Sequence, residues 1–157
     1  MKKLFLALLC LFIMSASVYA DMSKEELQQM YLAYLKSRNI SAKVDGDGDI
    51  EFTYTGENFS KMTYWIMVDE DDLEFFRILK DGGYTLDTPQ EKQKAYLAAS
   101  AATRNALVAK VFLNPNGDNI SASAEVYLVS PGDFKTVFPK LMRELDDALY
   151  RFLKAMQ

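Results

Sequence analysis

Ile50-Glu51-Phe52-Thr53-Tyr54-Thr55 and, one turn later, Met62-Thr63-Tyr64-Trp65-Ile66-Met67-Val68 decide the fold. In the first stretch Ile50, Phe52 and Tyr54 fall on one side and Glu51, Thr53 and Thr55 on the other. In the second, part of a strand over residues 59–68, Met62, Tyr64, Ile66 and Val68 point one way and Thr63, Trp65 and Met67 the other. A period of two with one strongly apolar side predicts an antiparallel meander covered on one face only. Upstream, Asp45-Gly46-Asp47-Gly48-Asp49 has the composition of a tight hairpin, because Asp-Gly pairs accept the positive φ such turns need. It joins a short strand over residues 42–45 to Ile50. Thr55-Gly56-Glu57-Asn58 makes the next turn.

Working outward, residues 23–39 predict a helix. Ser23 and Glu26 form a capping box, and Leu27, Met30, Tyr31, Tyr34 and Leu35 make one apolar stripe. After the meander, Asp69 is expected to cap a short helix through Leu73, Phe76 and Leu79, ended by Asp81-Gly82-Gly83. Thr88-Pro89-Gln90-Glu91 opens an alanine-rich helix that runs to about Asn105. Two further strands follow, one through Ala109, Val111 and Leu113, the other through Ile120, Ala122, Ala124, Val126 and Leu128. Ser130-Pro131-Gly132-Asp133 then opens a last helix with an apolar stripe from Phe134 to Leu153. Pro139 inside it is expected to kink or split it near Phe138. The order is α-β-β-β-α-α-β-β-α. It predicts an α+β fold, a five-stranded antiparallel sheet with helices packed on one face.

The N-terminus reads as an export leader. Met1-Lys2-Lys3 is a positive start, Leu4 to Met14 is an eleven-residue apolar run, and Val18 and Ala20 suit cleavage after Ala20. Eleven apolar residues reach about half of the ~20 that span a bilayer as a helix, which argues against an anchor. Leu9 before Cys10 argues against lipidation. Residues 1–20 are thus a signal peptide and residues 21–157 one domain, expected in the periplasm or secreted and off the membrane after cleavage.

Composition then excludes whole classes of chemistry. There is no histidine, and the single cysteine, Cys10, leaves with the leader. Imidazole-assisted and thiolate catalysis are therefore absent, as are imidazole metal sites. The mature chain carries 16 basic and 22 acidic side chains, a formal charge of −6 with no basic cluster, which argues against nucleic acid. No cofactor motif occurs. The triplets Asn39-Ile40-Ser41, Asn58-Phe59-Ser60 and Asn119-Ile120-Ser121 matter only in a host that glycosylates.

Several stretches resemble the YbjN-like domain family, described as proposed bacterial sensory transduction regulators with a type III secretion chaperone-like fold. They are Asp47-Gly48-Asp49-Ile50-Glu51-Phe52, Val68-Asp69-Glu70-Asp71-Asp72-Leu73-Glu74-Phe75-Phe76-Arg77, Val108-Ala109-Lys110-Val111-Phe112-Leu113 and Ser121-Ala122-Ser123-Ala124-Glu125. The resemblance runs from about Met22 to Phe152. It implies a non-enzymatic domain, a homodimer or a holder of other chains on its sheet or helix surfaces, and it carries no catalytic residue.

Three candidate sites emerge. Asp45, Asp47 and Asp49 alternate like calcium ligands, but an EF-hand loop needs glycine sixth and glutamate twelfth, where Ile50 and Gly56 stand; a solvated turn accounts for them better. Asp69, Glu70, Asp71 and Asp72 would serve a metal-dependent hydrolase if they converged in a cleft, but four neighbours at a helix start are more simply a cap. Trp65, Met67, Phe112 and Tyr127 fall on the sheet face opposite the helices. There they form a candidate protein interface for a client or a second copy, on the face or by strand addition at an edge. A third role is that of structural subunit or inhibitor of another exported protein.

Overall fold

The computed structural model describes residues 22–69 and 71–157; the leader, and with it the cleavage site, lies outside the described residues. Helix α1 (Lys24–Ser37) leads into strands β1 (Ala42–Val44), β2 (Ile50–Tyr54), β3 (Met62–Met67) and β4 (Phe75–Lys80). Helix α2 (Pro89–Arg104), strands β5 (Ala109–Leu113) and β6 (Ile120–Tyr127), a 3-10 turn (Pro131–Asp133) and helix α3 (Phe134–Met156) complete the chain. The sheet has six antiparallel strands in the order β1-β2-β3-β4-β6-β5.

This corrects the expected five strands and the short helix after Asp69. Leu73, Phe76 and Leu79 fit a helical spacing, but Phe76, Ile78 and Lys80 fit a period of two, and these three are the buried set. Short apolar runs satisfy both periods. The tertiary setting decides, because β4 lies between β3 and β6 and bonds to both. The element order is therefore α-β-β-β-β-α-β-β-α. The turn before β4 is closed by local bonds of its own: the side-chain Oδ1 of Asp69 accepts the Asp71 N–H, and the backbone carbonyl of Asp72 accepts from the Phe75 N–H. Asp69 thus shapes a turn between strands and caps no helix.

The hydrophobic core lies between the sheet and the helices. Across the six strands, Val44, Ile50, Ile66, Ile78, Ala124 and Ala109 stand side by side on the helix side. Leu27, Tyr31 and Leu35 of α1 bury against this face, as does the stripe of α3 that includes Phe134, Phe138, Leu141, Leu145 and Phe152. Helix α2 buries Ala95, Ala98, Ala99 and Ala102, whose small side chains let it lie close to α3 and β5. Both capping boxes form, Ser23 with Glu26 and Thr88 with Glu91.

Pro139 does not split α3, which is continuous from Phe134 to Met156. A proline at position 139 leaves the carbonyl of Lys135, four residues earlier, without its helical donor. The Tyr34 hydroxyl of α1 donates to that carbonyl at 3.2 Å. The defect in one helix is thereby answered by its neighbour, whose ring also packs edge-on against Phe134 and Phe138.

A second anchor holds the β2–β3 loop. Asp146 of α3 is buried, and its Oδ2 accepts from the Glu57 and Asn58 N–H groups and from the Asn58 side-chain amide. A Cβ on Gly56 would stand 2.0 Å from Asp146 Oδ1, so only glycine lets the loop close on the carboxylate.

Tyr34→Phe keeps the ring and deletes the donor, and should cost about 1 kcal/mol in denaturant unfolding. Pro139→Ala supplies the missing N–H to the Lys135 carbonyl, so in that background the cost of Tyr34→Phe should shrink toward zero. Strictly additive effects in the double-mutant cycle would refute the coupling.

Candidate functional site

The face of the sheet away from the helices is assembled by register. Lys43, Glu51, Trp65, Leu79, Ser123 and Lys110 follow one another across the six strands; Met67, Arg77 and Glu125 form the next row, and Phe75 pairs with Tyr127 beyond them. On the other side of the long row lie Thr53 and Thr63 on adjacent strands and Phe112 opposite Ser121. All four residues expected at a protein interface are here. Trp65 and Met67 are half-buried, Phe112 is 38% exposed and Tyr127 75% exposed. They do not form one cluster. Met67 and Tyr127 lie in the rows toward the Phe75 end, whereas Phe112 sits at the opposite end of β5.

Reading β4 as a helix hid Phe75, Arg77 and Leu79, which belong to this face. The signal for them was the alternation of Phe76, Ile78 and Lys80, which leaves the odd-numbered residues on the other side. The Phe75 and Tyr127 rings lie 5.2 Å apart, and the Arg77 guanidinium carbon lies 5.2 Å from the centre of the Phe75 ring. Leu107 and Val129, both strongly exposed, lie in the segments flanking β5 and β6 at this end of the sheet. The result is an apolar corner, of the aromatic and arginine composition enriched at protein contacts.

Beside this corner the charges are tied down. Glu125 accepts from Lys110 Nζ at 2.6 Å and from Ser123 Oγ at 2.8 Å, and its Oε1 lies 3.1 Å from Arg77 Nε. Burial works to raise the Glu125 carboxyl, but the Lys110 and Ser123 hydrogen bonds and the charges of Arg77 and Lys110 outweigh it. The carboxyl is held below its ordinary value. Farther along, Lys43 pairs with Glu51 at 3.2 Å. Buried Ser121 donates to Asp81.

Where they are described, carboxylates of both acidic motifs accept from nearby backbone N–H groups. In the hairpin, Asp45 Oδ1 accepts from Asp47 and Asp49 N–H, and Asp49 Oδ1 accepts from Val68 N–H. Among the described residues, no three His, Cys, Asp or Glu side chains gather as a metal site. Nor is any helix among them long and apolar enough to cross a membrane.

The architecture is thus an α+β domain, a six-stranded antiparallel sheet with three helices. A crystal structure of YbjN from E. coli, a proposed transcription regulator, shares that fold. It aligns with a TM-score of 0.54 over 81% of this chain and 89% of that one, at 14% identity. No family model and no curated protein matches the sequence.

Because the folded state holds the Glu125 carboxyl below its ordinary 4.5, its contribution to stability is complete above that value and is lost as pH falls through the lower folded value. Glu125→Gln should therefore cost about 1 kcal/mol at neutral pH. The gap between variant and parent should close as the solution is acidified below 4.5. A gap that stays constant down to strongly acidic pH would contradict this.

Proposed function

We propose that this chain is an exported protein-binding module that works by contact and not by catalysis, with the uncovered sheet face as its recognition surface. The observation that carries the reading is the apolar corner of Phe75 and Tyr127, continued by Met67 and Trp65, on a face no helix of the described chain covers. Large apolar groups left together at the surface mark contact sites. The rest of the face is the polar, ion-paired surround that such sites carry. A regulatory role of the kind suggested for YbjN would here run through protein contacts, since a formal charge of −6 beyond residue 20 opposes direct binding to nucleic acid. Client capture, a subunit role and inhibition of another exported protein would all use the same surface.

A photo-crosslinking residue placed at Tyr127 should yield a discrete protein adduct in the producing cell, whereas one at Tyr150, on the solvent side of α3, should not. Trp65→Ala should weaken the Tyr127 adduct while moving the melting midpoint by only a few degrees, the ~1 kcal/mol scale of a half-buried surface change. Equal adducts from both positions would defeat the reading. Export is checked separately: N-terminal sequencing of the protein from the envelope fraction or the medium should begin at Asp21. Recovery with Met1 intact would contradict the leader.

A further inference from the structure

At the Phe75 end of the uncovered face the surface dips into a cleft of about 270 Å³. Met67, Phe75 and Arg77 form part of its lining, and Asp49, Asp69 and Asp71 supply its carboxylates. The charges do not cancel. Arg77 shares Glu125 with Lys110, at 3.1 Å and 2.6 Å. The Lys24 ammonium lies over Gly48 and attracts the neighbouring Asp49 carboxylate. Asp69 and Asp71 are exposed, and neither joins an ion pair among the described residues. The cleft therefore presents apolar walls and three carboxylates against the cations Lys24 and Arg77, and two of those carboxylates, Asp69 and Asp71, join no ion pair among the described residues.

We propose that this cleft accepts a lysine or arginine side chain from an extended segment of a partner protein, its methylenes lying over Met67 and Phe75 and its cationic head reaching Asp69 and Asp71. The inference rests on the reading of the uncovered face as a recognition surface and names the chemistry of what binds there. Long basic side chains combine an apolar stem with a charged tip, which is the combination the cleft offers. Charge decides against the other occupants. A second copy would bring a further −6 to an acidic rim, and an anionic lipid surface would be repelled by it. The ligand set for a metal ion is lacking among the described residues.

The test uses two amidated, fluorescein-labelled peptides, Val-Lys-Val-Leu-Lys-Val and its counterpart with glutamate for lysine, titrated with the purified protein at low salt and read by fluorescence anisotropy. The lysine peptide should bind at least about tenfold more tightly than the glutamate peptide, and more weakly as salt is added. Asp69→Asn combined with Asp71→Asn should weaken the lysine peptide by about tenfold, the sum of two partly exposed ion pairs, and leave the melting curve nearly unchanged. Tyr127→Ser should weaken both peptides. If the two peptides bind equally and Tyr127→Ser weakens both, the recognition face stands and the basic-segment inference falls. Tight lysine-peptide binding that ignores Asp69 and Asp71 also overturns it. If neither peptide binds, the inference and the reading beneath it fail together.

Discussion

Phe76 is the point on which the architecture turns. It is fully buried on β4, the strand between the N-terminal meander and the β5–β6 hairpin, and its ring meets Tyr31 of α1 at 5.5 Å and Phe134 of α3 at 5.7 Å. Tyr31 and Phe134 close the triangle edge-on at 4.7 Å. One aromatic cluster thus fastens the first helix, the central strand and the last helix together. Truncating a ring in such a place costs about 3–5 kcal/mol, a large part of the ~5–15 kcal/mol that holds a domain folded. With no cysteine beyond Cys10, the domain has no disulfide to make good that loss, so packing of this kind must carry the stability.

The same residue explains where the sequence misleads. Strands β2 and β6 were legible because each has a polar side as well as an apolar one, which fixes the period. β4 reads Phe-Phe-Arg-Ile-Leu-Lys, with large groups on both sides, since one side fills the core and the other builds the uncovered face. A strand that serves two surfaces loses its alternation, and the leucines and phenylalanines then mimic a helical stripe. The acidic run from Asp69 reinforced the error by resembling a helix cap, although Asp69 spends its side chain on a turn. Pro139 misled in the opposite direction. A local rule forecasts a kink or a split near Phe138; the helix is not split, and a hydroxyl from another helix, invisible to any local rule, answers the carbonyl that the proline leaves without its donor. The candidate face followed the same logic. Trp65, Met67, Phe112 and Tyr127 could be assigned by strand phase alone, but Phe75, Arg77 and Leu79 could not be placed until β4 was known as a strand.

The alternation of small and large residues across the sheet gives the two faces their different characters. On the helix side β6 presents Ala122 and Ala124, which let α3 approach the sheet. On the other side it presents Ser121 and Ser123, both buried although no helix lies over them. Longer neighbours shield the serines: Ser123 lies between Leu79 and Lys110 in the row, and Ser121 lies beside Phe112. The uncovered face is therefore low and polar along β6, and the bulk of its central row lies on β3 and β4, in Trp65 and Leu79. Glu125, shared by Arg77 and Lys110, stands between that row and the Phe75–Tyr127 corner and holds both cations in place.

The edges of the sheet argue for the face as the surface of contact. An open edge offers unpaired backbone groups and invites another strand, and proteins blunt it with short strands, charges or a covering element. At one edge, Thr103 of α2 uses its hydroxyl twice, accepting from the Val111 N–H at 2.9 Å and donating to the Val111 carbonyl at 3.1 Å, so the centre of β5's outer side is already engaged. At the other, β1 is only three residues long and carries Lys43 at its centre. Strand addition would have to displace a hydrogen-bonded threonine or settle on a three-residue strand centred on a lysine. The uncovered face opposes a partner with neither obstacle: its apolar corner is already desolvated in part by its own ring pair, and its ion pairs are already made.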